Sequence, residues 1–234
     1  MQASLRRAFA RWGRPQRLRV DNGTPWGATG GLPTALALWA AGLGVELLRN
    51  PARRPQENGT GERSQGVSAA WAEPGACADA GALQRRLDEE DRIQREVYPS
   101  IAGRSRRDAY PDLLNSGRGY AEGCEALCWD LDLALACLGR CRVRRKVSAD
   151  GKVSVYDRGL MVGREYAGQV VDVTLDGASR EWVFRGADQR ELRRRPAEEL
   201  TAERIRGLTI ARQRGTSGRG KTMGPDSAAK LCVR

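Results

Sequence analysis

Along the first half of the chain the apolar positions recur at helical spacing. Leu5, Ala8, Phe9 and Trp12 predict a helix over Ser4–Trp12, ended by Gly13 and Pro15. "RLRV" at Arg17–Val20 predicts a short strand running into Asp21. A glycine-rich loop, "GATGGLP", then leads to "TALALWAAGLG", a helix so apolar that it must pack on a sheet. Gly42 or Gly44 stops it, and "VELL" at Val45–Leu48 predicts a second strand. Helix, strand, helix, strand is the order of an α/β layer fold. A polar stretch follows, then a helix from about Gly59 to Trp71, a break at Pro74-Gly75, and an amphipathic helix in "ALQRRLDEEDRIQREVY" with Leu83, Leu87, Ile93 and Val97 near one face.

The second half has a different pattern. "GRSRRDAYPDLLNSGRGY" is a basic connector, and "CEALCWDLDLALACLGRC" is predicted to be one helix for most of its length. From Arg142 onward short β-rich runs alternate with Asp-Gly, Arg-Gly, Ala-Gly and Gly-Ala turns about every ten residues. Such spacing predicts a small antiparallel barrel or sandwich of about five strands. A short helix is expected around Glu198–Arg206, and the last twenty residues are expected to be disordered.

Charge narrows the partners. The 234 residues carry 40 Lys+Arg against 29 Asp+Glu, a formal charge of +11 supplied mostly by arginine. A basic chain suits a polyanion, because neutralising phosphates releases condensed counterions. A coding sequence rich in G and C also inflates Arg, Ala and Gly, so charge alone leaves both explanations open. No run approaches the roughly 18 apolar residues needed to span a bilayer, and the N-terminal segment has no uninterrupted apolar core of a secretory signal. The expectation is a cytoplasmic protein, associated with the nucleoid if it binds DNA, with no membrane partner. The Asn-Gly-Thr sequons at Asn22 and Asn58 then go unglycosylated.

Two motifs mislead. Cys124, Cys128, Cys137 and Cys141 are spaced C-x3-C-x8-C-x3-C, but on one helix Cys137 falls roughly opposite Cys124, so four thiolates cannot surround one zinc ion. Buried, reduced thiols are expected instead. "GTSGRGKT" at Gly215–Thr222 satisfies the P-loop pattern, yet Gly224-Pro225 follows and only a dozen residues remain, leaving no room for the helix that aims at the phosphates.

Carboxylates carry the candidate chemistry. Asp21 ends a predicted strand, and Asn22-Gly23 allow a sharp turn there. Glu57 and Glu62 lie about forty residues later near a helix start, pointing some 140° apart if both are helical. Only one of them can face Asp21. Carboxylates from separate elements are the usual way to hold Mg²⁺, and two such ions clamp the oxygens of a phosphodiester displacement. An Asp capping a turn and two solvated glutamates would read the same.

"RVDNGTPWG" followed by "RPQENGTGERSQG" resembles the catalytic core of insertion-sequence transposases and retroviral-type integrases. The resemblance covers roughly residues 1–115. It implies a ribonuclease-H-like fold with an Asp, Asp, Glu triad, in which Asp21 is the second acid and Glu62 the third, with Glu57 at a variable position. It implies Mg²⁺ or Mn²⁺ at Asp21 and Glu62, and DNA along Arg53, Arg54, Gln56, Asn58 and Arg63. The β-rich stretch resembles the small SH3-like barrel appended for DNA binding, in which Arg142, Arg144, Arg145 and Lys146 would contact phosphates.

The chain departs from that pattern as well. None of the twenty residues before Asp21 is acidic, and Gly61 stands where an apolar residue is usual. The expected organisation is a partial integrase core (1–115) lacking its first strands, a helical connector (116–141), a small β-barrel (142–195) and a basic tail (196–234). The expected function is that of a truncated transposase, inactive alone for want of the first Asp. Self-association, or mixing with a full-length transposase, is expected of its open sheet edge. A non-catalytic DNA-binding module or transposase inhibitor, or a functionless remnant, is the alternative.

Overall fold

The computed structural model describes residues 1–27, 31–51, 59–111, 115–121 and 123–211, with the side chains of 60–62 outside that description. Residues 28–30 of the glycine-rich loop, residues 52–58 of the polar stretch after the second strand, and the tail with its P-loop-like stretch therefore lie outside the described residues. The architecture is mixed α/β. Helix α1 (Gln2–Trp12) precedes strand β1 (Arg17–Val20), helix α2 (Ala35–Gly42) and strand β2 (Glu46–Arg49). Helices α3 (Gly59–Ala72) and α4 (Ala80–Glu96) form a hairpin around a 3-10 turn at Pro74–Ala76. Short helices α5 (Arg106–Ala109) and α6 (Glu125–Cys128) lead to α7 (Leu131–Gly139).

Helix α2 has no polar face. Leu36, Ala37, Leu38, Trp39, Ala40 and Gly42 are all buried, and the helix packs against β2, α7 and the C-terminal helix α8 (Ala202–Arg206). Thr34 caps its start, the Oγ1 accepting from the Ala37 amide at 3.2 Å. One apolar core runs from Phe9 of α1 through α2 and α7 to Ile205 and Ile210.

The cysteine-bearing segment is not one helix. It breaks at Trp129, whose backbone is extended (φ −99°, ψ 127°), and restarts with Asp130 as cap, its Oδ1 accepting from the Asp132 amide at 2.7 Å. Tertiary contacts outweigh helix continuity here. The Trp129 indole donates to the Trp39 carbonyl at 2.9 Å, and the Asp130 amide donates to the Gly42 carbonyl at 2.8 Å. The ring lies so close to Gly42 that a Cβ there would sit 2.2 Å from it. Gly42 thus serves for closeness, while Gly44, at φ 68°, stands just past the end of the helix.

The β-rich half comprises six strands: β3 (Val143–Lys146), β4 (Lys152–Val155), β5 (Arg158–Met161), β6 (Val170–Asp176), β7 (Glu181–Arg185) and β8 (Glu191–Pro196). They form an antiparallel sheet in the order β3-β6-β7-β8 and a separate β4-β5 hairpin. Among the described residues these sheets do not close into one barrel. Alternation buries Val171, Val173 and Leu175 of β6, whereas Trp182, Val183 and Phe184 of β7 are all buried. The β4-β5 turn falls on Tyr156-Asp157, both at positive φ (46° and 60°), not on the Arg158-Gly159 pair that composition favours. Tyr156 gains from this placement, because its hydroxyl donates to the Pro33 carbonyl at 2.7 Å, joining the hairpin to the entry of α2. Where β5 meets β8, side chains replace a ladder: Arg193 Nε donates to the Val162 carbonyl (3.2 Å) and Arg195 Nε to the Met161 carbonyl (2.7 Å).

A buried polar knot fastens α1 to this core. Glu125, 5% exposed, receives Arg6 in a bidentate pair (2.7 and 2.8 Å) and the Tyr120 hydroxyl (2.7 Å). Phe9 stacks on Trp39 with centroids 6.0 Å apart and meets Tyr120 edge-on at 5.9 Å. Burial pushes the Glu125 carboxyl up, but Arg6, Tyr120 and Trp39 outweigh it and hold the carboxyl below the ordinary glutamate range. Glu125→Gln is expected to cost on the order of 2 kcal/mol in urea unfolding, because Arg6 loses its charge partner in a mostly dry site. The folded-state value lies below the unfolded one, so this stabilisation is complete above the glutamate range. It is lost as pH falls through the lowered value, and the variant is expected to show a flatter acid limb.

Candidate metal and nucleic-acid site

β1 and β2 are parallel, in register from Arg17 opposite Glu46 to Val20 opposite Arg49. A parallel pair needs a crossover, and α2 supplies it. Asp21 and Asn50 are the next residues of their strands, so both stand at the C-terminal edge of the pair, where α/β folds gather ligands. The edge is held by backbone and amide bonds. The Asn50 amide donates to the Val20 carbonyl (3.0 Å), and Asn22 Nδ2 donates to the Asn50 carbonyl (2.8 Å).

The turn after Asp21 is tight. Trp26 and Gly27 amides both donate to the Gly23 carbonyl, at 3.0 and 2.7 Å, and a Cβ on Gly27 would lie 1.9 Å from the Asn22 carbonyl oxygen. Trp26 is buried as the anchor of this loop, and its carbonyl accepts from Arg49 at 2.9 Å. Asp21 itself is left exposed. Asn22, Gly23, Trp26 and Gly27 of "DNGTPWG" thus each have a structural task.

Glu62 is the fourth residue of α3, which begins ten residues after β2 ends; its side chain is outside the described residues. So are Arg53, Arg54, Gln56, Glu57 and Asn58. Arg63 is described and exposed on α3. Mg²⁺ commonly takes one or two carboxylates and keeps its waters. Exposed Asp21 meets one half of that requirement. Among the described residues no three His, Cys, Asp or Glu side chains converge on a metal position. Beside the edge runs a cleft of about 1060 Å³ between β2 and α7, lined by Asn22, Leu47, Arg49, Ala136 and Arg140 among others.

The basic cluster divides by alternation along β3. Arg144 and Lys146 face outward and are exposed, while Arg145 is half-buried and donates to the Arg144 carbonyl at 3.1 Å. Arg142 is committed: it pairs with Asp172 and donates to Gln189 Oε1 at 2.6 Å. Arg142 and Gln189 together hold the Asp172 carboxyl down to about 2. Similar engagement holds Arg194 to Asp176 at 2.7 Å and to Glu191 at 2.9 Å. Glu199, fully buried, accepts from Trp182 Nε1 (2.6 Å) and Arg158 (2.9 Å). Nothing in "PAEEL" distinguishes this buried acid from its exposed neighbour Glu198 before the fold is known.

A scan against models of known protein families finds no match for this chain. Among the described residues no helix is long and apolar enough to cross a membrane.

Because Asn22 ties the Asp21 turn to the end of β2, Asn22→Ala is expected to cost about 1 kcal/mol. Amide exchange at Asn50 and Trp26, whose bonds border that turn, is expected to accelerate more than exchange in the β3-β6-β7-β8 sheet. Uniform acceleration across both would count against a local role.

Proposed function

We propose that this chain supplies part of a transposase or integrase core of ribonuclease-H-like type, joined to a DNA-contacting β module. By itself it binds DNA without cutting it. The observation that carries this reading is the parallel β1-α2-β2 unit, which sets Asp21 at the sheet edge from which the chain continues to α3, the helix bearing Glu62. In this reading Asp21 and Glu62 hold Mg²⁺ or Mn²⁺, which would neutralise phosphate charge at the scissile strand. The chain's own residues hold the frame: Asn22 and Asn50 lock the edge, Trp26 anchors the loop, and Arg63 lies one residue from Glu62 to meet the DNA backbone.

Residues 1–20 contain no Asp or Glu, so those twenty residues do not supply the third carboxylate of such a site. The reading therefore expects no strand transfer or nicking from this chain alone. Supercoiled plasmid incubated with the chain and Mg²⁺ or Mn²⁺ is expected to stay intact, for the native sequence and for Glu62→Gln alike. Nicking that disappears in Glu62→Gln would refute the proposed inactivity while retaining the assigned ligand.

A second reading, a non-catalytic DNA-binding module that also mixes with a complete transposase, is favoured by the outward-facing pair on β3. The order of β3, a β4-β5 hairpin and a β6-β7-β8 meander supports a relation to SH3-like modules. Without interleaved aromatics, Arg144 and Lys146 suit phosphate contacts rather than base readout. Arg144→Ala with Lys146→Ala is expected to reduce the slope of log affinity against log salt by about two. Arg142→Ala is expected to leave that slope unchanged, since its charge is already spent on Asp172. An anisotropy titration across salt concentrations reads both. Equal slopes for all three proteins would remove β3 from the interface.

A further inference from the structure

Residues 124–141 contain two Cys-x3-Cys pairs of identical spacing, and the fold treats them differently. Cys124 is the residue before α6 and Cys128 is its last residue, so both side chains leave the same turn. Their sulfur atoms are 2.9 Å apart. A disulfide bond is about 2.05 Å long and holds its Cβ atoms about 3.5–4.5 Å apart, closer than the roughly 5–6 Å of neighbours on a regular helix, so closure requires this short turn to tighten. In the second pair the Cys141 thiol instead donates to the Cys137 carbonyl at 3.6 Å. The break at Trp129 isolates the first pair on its own short turn.

The surroundings suit covalent chemistry more than simple packing. Both thiols are free and half-buried against the core. Leu127, between them in sequence, is 94% exposed, so the outer side of the turn is open to solvent. The nearest acid, Glu125, is already bound by Arg6 and Tyr120. Arg14, bonded to the Cys128 carbonyl at 3.3 Å, brings a positive charge to the site.

We propose that Cys124 and Cys128 are an oxidation site, a dithiol that closes to an intrachain disulfide by exchange with a low-molecular-weight disulfide such as oxidised glutathione. The Cys124 thiolate attacks one sulfur of the oxidant, forming a mixed disulfide and releasing one glutathione thiolate. The Cys128 thiolate then attacks the Cys124 sulfur, expelling the second. Two cysteine thiols are oxidised, one external disulfide is reduced to two thiols, and the cysteine protons pass through solvent to the leaving thiolates. Burial and the neighbouring Cys124 push the Cys128 thiol up to about 11, and the second of these causes is removed once Cys124 is held in the mixed disulfide. Closing so short a ring constrains the unfolded chain little. The consequence is local: the turn presenting Glu125 to Arg6 is fixed covalently.

The test uses the full chain, incubated with oxidised glutathione in mildly alkaline native buffer, quenched with acid and alkylated. Chymotryptic cleavage after Trp129 separates this pair from Cys137. The expected product is a peptide holding Cys124 and Cys128 that is lighter by two hydrogens and carries neither alkyl group nor glutathione. Cys128→Ser is expected to trap glutathione on Cys124, because no second thiol remains to expel it. Alkylation of both cysteines, stable glutathione on each, or a bridge to Cys137 overturns the proposal. Equally fast closure in urea does so too, because the folded turn would then have no part in it.

Discussion

A helix with no polar face cannot persist at a surface, and α2 is such a helix. Its exposure would cost about 25 cal/mol for each Å² of apolar area returned to water, so the rest of the chain is arranged to cover it. β2 and its parallel partner lie along one flank, α7 along another, and α8 reaches back from near residue 205. Trp39 is wholly buried at the centre, touched by Phe9, bonded through its carbonyl to Trp129, and approached by the Arg6 guanidinium at 5.7 Å from its ring. The helix is also the crossover between β1 and β2. The packing that buries Trp39 therefore also holds the strand edge on which Asp21 stands.

Arginine in this protein is an adhesive before it is a charge. Arg6 clamps Glu125, Arg118 spans the Pro15 and Gly44 carbonyls at 2.8 and 2.9 Å, and Arg193 and Arg195 stand in for the missing ladder between β5 and β8. The planar fork of guanidinium makes this possible where lysine would not. A formal charge of +11 consequently overstates what is free to meet a polyanion. The electrostatic footprint on β3 contracts to Arg144 and Lys146, because neighbouring Arg142 is neutralised within the sheet.

Local signals in the sequence were sufficient where the chain's own periodicity set the structure. Arg17–Val20 forms the predicted strand, Gly59 begins the predicted helix, and Leu36 to Ala40 read correctly as buried. The prediction failed where distant groups intervene. Cys124–Cys141 has unbroken helical periodicity, yet the Trp129 indole finds a carbonyl on α2 and the helix parts to let it. The Tyr156-Asp157 turn defeats the preference for glycine because the Tyr156 hydroxyl has a partner at Pro33, over a hundred residues away.

The sequence by itself determined the alternation of elements, the mixed α/β class and the placement of Asp21 directly after a strand, because these follow from spacing over a few residues. Tertiary structure alone decided which arginines are consumed by internal carboxylates and carbonyls, and that Glu199 is buried while Glu198 is exposed. It also decided that two thiols of one Cys-x3-Cys pair meet while those of the other turn elsewhere. Glu199 depends on Arg158 and Trp182, and the turn of the first thiol pair is set off by Trp129 bonding to α2; such partners are remote along the chain, and spacing over a few residues does not reveal them.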